Sequence, residues 1–312
     1  MRIALDAMGG DFAPQAAVEG GILAAQALPS DTIVFVGIET AIQAELDKLG
    51  QVPPNIEIIH APQVIEMGEH PTKALPQKPQ SSISIGFKHL QEKNVDAFCS
   101  AGNTGAMLVA SIFSVRVSEG VLRPAIISHV PKLDGSYGII LDVGANTDCK
   151  PEVLSQFGIL GTIYCQQVFN IAQPKVALLN VGEEEKKGNL QAQTAYQLLK
   201  NNHKIQFVGN IEGRNLFDQS ADVIVCDGFV GNVVIKMAES YYEILKNKNY
   251  SDPFFDNFNF EKIGGSPVLG INGNVVIAHG VSNAATIKNA LILAHRVATV
   301  DLPGKIASSL ID

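Results

Sequence analysis

The sequence contains no tryptophan, only 6% aromatic residues, and no apolar run near the ~20 residues that a spanning helix needs. A core must therefore be filled by Val, Ile, Leu and Ala. Positive charge is also scarce. Lys and Arg number 23 against 31 Asp and Glu, giving a formal net charge of −8 with no basic run. A general nucleic-acid binder carries the opposite balance, so that class is excluded, whereas a local basic patch for an acidic partner is not. The cysteines are Cys99, Cys149, Cys165 and Cys226, and no two of them form a C-x-x-C pair. This argues against a zinc site and for reduced thiols in a cytoplasmic protein. The opening MRIALDAMGGD places Asp6 and Asp11 where a signal peptide needs an apolar stretch, so no signal peptide is expected.

What is present is apolar and rich in glycine. Hydrophobic residues make up 46% of the 312 residues and charged residues 17%, enough for a sizeable core and against disorder. The 28 glycines follow no repeat and read as turns. Short apolar strands alternate with helical spacing. Strands are expected at 2–5, 32–36, 56–60, 95–99, 125–130, 138–143, 175–181, 206–209, 223–226 and 275–278. Helices are expected at 39–49, 106–115, 152–171, 190–200, 231–245 and 282–300, with a further one starting near Pro14. The strands at 125–130 and 138–143 read as an antiparallel pair joined across Lys132–Ser136. This is the pattern of an α/β protein with a mostly parallel sheet and helices on both faces. Two lobes are expected, the first from residues 1–115 plus 268–312 and the second from 116–267, although the whole can also be classed as one domain. The segment 247–262, NKNYSDPFFDNFNFEK, breaks the pattern. Its Phe254, Phe255 and Phe258 read as a membrane or acyl-chain contact, as a dimer contact, or as local packing.

Ligands of such sheets bind at the carboxyl ends of the strands, where most of the glycine-rich motifs fall. SAGNTGA (Ser100–Ala106) ends a strand and opens a helix; it reads equally as a phosphate cradle and as a capped turn. Its candidate ligands are Ser100, Gly102, Asn103 and Thr104. DAMGGD offers Asp6, and LDVGAN offers Asn146. CDGFVGN offers Asp227 and Asn232, where a plain turn is the alternative. GEEEKKG and GNIEGR supply the cations Lys187 and Arg214 that a phosphate dianion wants. Glu183, Glu184 and Glu185 are consecutive and cannot all face one ion, so no metal is expected. His279 closes VVIAHG and could handle a proton or be structural. Cys99 and Cys226 read as buried, inert thiols.

Taken together and in order, DAMGGD, SAGNTGA, RPA at Arg123–Ala125, LDVGAN, LNVGEEEKKGN, GNIEGR, DVIVCDGFVGNV and GGSPVLGINGNVVIAHG (Gly264–Gly280) cover almost the whole chain. In them the chain resembles the bacterial phosphate acyltransferases of phospholipid synthesis. Ser266 and Val268 stand where small or apolar residues are expected, and the Phe-rich stretch lies in a variable region. The resemblance implies two α/β lobes around a cleft, similar to the isopropylmalate dehydrogenase and phosphotransacetylase fold. It implies that inorganic phosphate attacks an acyl thioester of acyl carrier protein, yielding acyl phosphate without a cofactor. It also implies a homodimer, peripheral contact with the inner face of the membrane, and a downstream membrane glycerol-3-phosphate acyltransferase. On this reading Asp6, Asn103, Asp227 and His279 are the catalytic candidates. Ser100, Gly102, Thr104, Asn146, Lys187, Arg214 and Asn232 are the phosphate candidates. Arg116, Arg123 and Lys132 are candidates for docking the acidic carrier protein. The alternatives are an NAD-dependent decarboxylating dehydrogenase of the same fold and a non-catalytic lipid-binding protein at the membrane.

Overall fold

The computed structural model describes residues 1–311. The chain begins β1 (Arg2–Asp6), α1 (Gln15–Ala27), β2 (Thr32–Gly37), α2 (Glu39–Leu49) and β3 (Ile56–His60). It continues α3 (Pro71–Gln77), α4 (Ser82–Gln91), β4 (Ala97–Ser100) and α5 (Thr104–Ala110), which runs on as a π turn over Ser111–Val115. Next come β5 (Ala125–Pro131), β6 (Tyr137–Leu141), α6 (Pro151–Val168), β7 (Lys175–Leu179), α7 (Leu190–Lys200), β8 (Gln206–Ile211), β9 (Val223–Val225) and α8 (Gly228–Asn247). The chain closes with α9 (Phe260–Ile263), β10 (Ser266–Leu269), β11 (Asn274–Ile277), α10 (Ala284–Thr299) and α11 (Leu302–Ile311).

These elements form two compact units. Among the described residues, unit 1 comprises 1–117 and 260–303, and unit 2 comprises 118–259 and 304–311. In unit 1 the strand order is β3-β2-β1-β4-β11-β10. The pairs β2–β3, β1–β2, β1–β4 and β4–β11 are parallel, and β10–β11 is antiparallel. Strands β1 and β4 are buried almost throughout, as expected of parallel strands covered on both faces. Helices α1 and α10 pack together, and Gly20 is what lets them approach. A Cβ there would stand 2.5 Å from Ile287 Cβ and 2.6 Å from the Ala284 carbonyl oxygen. In unit 2 the order is β5-β6-β9-β7-β8. The pair β5–β6 is antiparallel, as read from the sequence, and β6–β9, β7–β9 and β7–β8 are parallel.

Each sheet has a place where the chain order reverses direction. In unit 1 β2 and β3 lie on one side of β1 and β4 on the other. In unit 2 β8 lies on one side of β7 and β9 on the other. Open α/β sheets bind ligands outside the strand ends at such points. The sites to inspect are therefore the ends of β1 and β4, and the ends of β7 and β9.

Candidate active site

In unit 1 the glycine turns after β1 and β4 lie back to back. Asp6, the last residue of β1, is 1% exposed. Ser100, the last residue of β4, donates from Oγ to Asp6 Oδ2 at 2.7 Å and accepts from the Gly102 N–H at 2.9 Å. The Met8 N–H donates to Asp6 Oδ1 at 3.0 Å. Burial pushes the Asp6 carboxyl above the usual carboxylate range, against hydrogen bonds from the Ser82 and Ser100 side chains and the Met8 and Gly9 backbone. Only glycine fits at the crossing. A Cβ on Gly9 would stand 2.5 Å from Asp6 Oδ2, 2.7 Å from the Gly102 nitrogen and 2.9 Å from Ser100 Oγ.

The turn after β11 joins this edge. The Asp11 N–H donates to the Gly280 carbonyl at 2.7 Å, and the Ala278 N–H donates to the Ser100 carbonyl at 2.9 Å. His279 is half-buried beside Gly280, and its carbonyl accepts from the Ser282 N–H. Asp6, Ser100, Gly102 and His279 thus belong to one strand edge. Asp6 and Ser100 are buried against each other, so they fix the turns and do not reach outward.

Asn103 has a different part from the one its motif suggests. Its Oδ1 caps α5 by accepting the Ala106 N–H at 2.9 Å. Its Nδ2 donates to the carbonyls of Glu66, Met67 and Glu69 at 3.1, 3.1 and 2.9 Å. Every polar atom of the side chain is engaged with the protein, so Asn103 positions the 66–69 segment over the turn. Its amide N–H groups are held by these carbonyls, away from the catalytic part its motif suggests. Thr104, the first residue of α5, is exposed.

In unit 2 the counterpart of Asp6 is Asp142, just after β6. It is fully buried and accepts from the N–H groups of Ile126, Ala145 and Asn146 and from Asn146 Nδ2. Burial raises its carboxyl in spite of these bonds. Asn146 spends its remaining N–H on the Pro124 carbonyl at 2.7 Å. It is therefore a buried brace, a correction to its assignment as a phosphate ligand. Asp227 caps α8 by accepting the Val230 N–H at 2.8 Å. Asn232 is half-buried, its amide lies 3.9 Å from where a Cβ on Gly144 would stand, and it has no side-chain hydrogen bond among the described residues.

A cavity of about 330 Å³ opens at the reversal point of unit 2. Leu178, Leu179, Asn180 and Val181 from the end of β7 face Cys226 and Asp227 from the end of β9. Neither cation read from the sequence lines it. Arg214 is 71% exposed and pairs with Glu212 at 2.9 Å and Glu183 at 3.8 Å. Lys187 is half exposed and pairs with Glu184 at 3.8 Å. Glu185 turns instead to Lys200 and Gln197, so the three consecutive glutamates diverge as expected. Surface pairs of this kind are weak, and both cations are solvated here rather than fixed in a cavity. That departs from the phosphate role read for them.

Of the three readings of Phe254, Phe255 and Phe258, local packing is the one seen within the chain. Their rings form an edge-to-face cluster with Phe217, at centroid distances of 5.1 Å for Phe217–Phe258, 5.8 Å for Phe217–Phe254 and 5.3 Å for Phe254–Phe255, and Phe258 is buried. Lys132 is 2% exposed and its Nζ is held by Asp222 at 2.8 Å, so it cannot dock a carrier protein. Arg116 and Arg123 are exposed. All four cysteines are buried. Burial, followed by the charges of Asp142 and Asp227, pushes the Cys149 thiol up to about 12.

Residues 1–305 match the family model described as "Fatty acid synthesis protein". The phosphate acyltransferase of Dictyoglomus thermophilum is 45% identical over 99% of this chain and 98% of its own length. That of Salinibacter ruber is 41% identical over 96% of this chain and 94% of its own. This chain belongs to the phosphate acyltransferase family. Among solved structures, a phosphotransacetylase from Streptococcus pyogenes superposes with a TM-score of 0.66 at 17% identity, covering 96% of this chain and 94% of that one. A 4-hydroxythreonine-4-phosphate dehydrogenase from Klebsiella pneumoniae gives a TM-score of 0.59 at 14% identity, covering 96% and 97%. At such identities these structures show the shared α/β fold alone.

Two residues of this phosphate acyltransferase family chain escaped the sequence reading. Asp142 stands one residue past its strand in LDVGAN, as Asp6 closes its strand in LDAMGG, and that shared Leu-Asp start was the available signal. Asn180 is the first residue after β7. Its Oδ1 accepts the Val181 N–H at 2.8 Å, and its Nδ2 donates to the Lys187 carbonyl and Asn210 Oδ1. A polar residue closing an apolar strand was the signal there.

Proposed function

We propose that the chain transfers the acyl group of an acyl-carrier-protein thioester to inorganic phosphate, supplying acyl phosphate to phospholipid synthesis. An oxygen of hydrogenphosphate bonds to the thioester carbonyl carbon, and the C–S bond breaks. The proton lost by phosphate ends on the departing sulfur, so atoms and charge balance with no redox partner. A protein assists such a step by fixing the reactants and by aiming donors at the developing oxyanion; one donor is worth about 10²–10³ in rate.

The observation that carries the reading is the crossing of the Gly9 and Gly102 turns at the β1–β4 reversal point in a chain of this family. It brings bare backbone to the start of α5, where the N–H groups of Thr104 and Gly105 have no partner within the helix. Phosphate binds there, with Thr104 as the side-chain donor. His279 is the group of unit 1 that returns the proton to sulfur. Incubation with long-chain acyl carrier protein and phosphate, with hydroxylamine trapping and mass spectrometry, should reveal acyl phosphate. His279→Gln should lower the rate at least tenfold. No acyl phosphate from active carrier protein would overturn the proposal.

The reading extends to a homodimer. Support comes from α8, where Val230, Val233, Met237, Tyr241 and Ile244 are exposed at spacings of three and four residues, the seam of a paired helix. Val233→Asp with Met237→Asp should halve the mass seen in sedimentation, and a monomeric wild type would refute it. Among the described residues no helix is long and apolar enough to cross a membrane. Transfer of the product to a membrane glycerol-3-phosphate acyltransferase is therefore proposed to involve peripheral contact, which liposome flotation tests.

A further inference from the structure

The helix that follows the SAGNTGA turn is apolar on more than one side, and its sides have different fates. Ala106, Met107, Ala110 and the π-turn residues Ser111 and Val115 are buried in the core of unit 1. Val109, Phe113 and Ser114 instead line a cavity of about 460 Å³, with Ala110 at its floor. Its other wall is Thr72, Leu75 and Pro76 of α3, with Pro79 and Ser84 beyond them. The volume lies in the range of small-molecule pockets. The lining carries no ionisable side chain.

Three features tie this cavity to a ligand rather than to incomplete packing. First, it starts one residue along the chain from a contact with the turn proposed to bind phosphate. Gly105, in the first turn of α5, lies so close to Pro71 that a Cβ there would stand 2.6 Å from Pro71 Cγ, and the next residue, Thr72, begins the cavity wall. From Thr104 to Phe113 the rod advances roughly 13 Å at helical rise. Second, Phe113 and Ser114 of the lining belong to a π turn, a rare element that concentrates at functional sites. Third, Phe113 is left 76% exposed at the rim, an apolar ring with nothing over it. An apolar ligand in the cavity would cover that ring.

We propose that this cavity is the slot for the acyl chain, which enters beside Gly105 and runs along α5 toward Phe113. The proposal rests on the phosphate acyltransfer reading and adds the place where chain length is measured. It also replaces the acyl-chain contact expected at Phe254, Phe255 and Phe258.

The test is a chain-length profile. The ratio of kcat/KM for hexadecanoyl to butanoyl carrier protein is compared among wild type, Val109→Trp from one wall and Leu75→Trp from the other. Each methylene kept out of an apolar site costs about fourfold. A tryptophan that displaces three or four methylenes should lower the ratio about 100-fold in both variants, with thermal unfolding confirming that they fold. Phe113→Ala should lower it by about tenfold, as rim cover is lost. A ratio unchanged in both tryptophan variants, or an equal loss at both lengths, would overturn the slot. Titration with a non-hydrolysable hexadecanoyl thioester analogue separates the two proposals. If wild type makes no acyl phosphate at any length but Val109→Trp still binds the analogue at least tenfold more weakly, the reaction falls and the slot stands. Acyl phosphate formation with equal binding by wild type and variant sinks the slot alone.

Discussion

The double engagement of Asn103 makes a prediction that helix propensity alone would reverse. Asn and Asp are equally good N-caps, and the negative charge of Asp at a helix start adds a few tenths of a kcal/mol. In this protein Asn103→Ala removes the cap bond to the Ala106 N–H, about 1 kcal/mol. It also removes the bonds to the carbonyls of Glu66, Met67 and Glu69. Two N–H hydrogens serve three acceptors, so about two net bonds are lost, a further ~2 kcal/mol. The sum is about 3 kcal/mol. Asn103→Asp keeps the cap but sets a carboxylate oxygen 2.9–3.1 Å from those three carbonyl oxygens, at a site 5% exposed. An uncompensated buried charge costs about 3–5 kcal/mol. Asn103→Asp should therefore be at least as destabilised as Asn103→Ala, despite the better capping chemistry. Urea titration of both variants reads this directly from the midpoints, provided that the slopes agree. The 66–69 segment should also become the first site cut by protease. Wild-type stability in Asn103→Asp, or a clear advantage over Asn103→Ala, would refute the clamp.

The glycine crossing predicts an asymmetry. Gly9→Ala forces a Cβ against three atoms below 3.0 Å and should cost about 3 kcal/mol, whereas Gly102→Ala, whose contacts begin at 3.1 Å, should cost about 1 kcal/mol. Equal unfolding midpoints would contradict the geometry. Asp6 predicts a pH effect. Its folded pKa is raised by burial, so its contribution is fully present below the ordinary carboxylate pKa and is lost as pH rises through the folded value. Asp6→Asn should therefore gain stability relative to wild type as pH rises above the ordinary carboxylate range, and acyl transfer should fall as the turns lose their anchor. A difference independent of pH would count against the raised pKa. Lys132→Ala leaves Asp222 without its buried partner and should cost about 3 kcal/mol, while Lys132→Met with Asp222→Asn should recover much of that. A double-mutant cycle in urea measures the coupling, and no coupling would mean that the pair is not formed in solution.

Most of the strand–helix alternation was legible because parallel strands buried on both faces read as unbroken apolar runs. Residues 61–94 were not. Helix α3 carries Pro76 inside it, and α4 carries Gly86, two residues that argue against helix from sequence. Gly86 is there because a Cβ would collide with the Phe98 ring, a contact made across some twelve positions of chain and so absent from any local pattern. Strand β10 was hidden in the same way by Pro267. At the site, the motifs located the strand ends but not the division of labour. Asp6, Ser100, Asn103 and Asn146 have the residue types of ligands, yet their polar atoms are turned on their own turns and loops. What a side chain bonds to is decided by neighbours far along the chain. Asn232, with its amide uncommitted, looks no different in the sequence from Asn146.

The close pairing of α1 with α10 through Gly20 has a consequence for how the molecule is made on the ribosome. Unit 1 cannot be completed when its first 117 residues have been synthesised, because β11 and α10 lie after the whole central segment of unit 2. The open edge of β4 and the apolar side of α1 await partners that arrive roughly 160 residues later, on the order of ten to thirty seconds of synthesis. All five strands of unit 2 lie between Ser118 and Asn259 and emerge meanwhile. The growing chain therefore carries an unfinished amino-terminal sheet for about half of its synthesis.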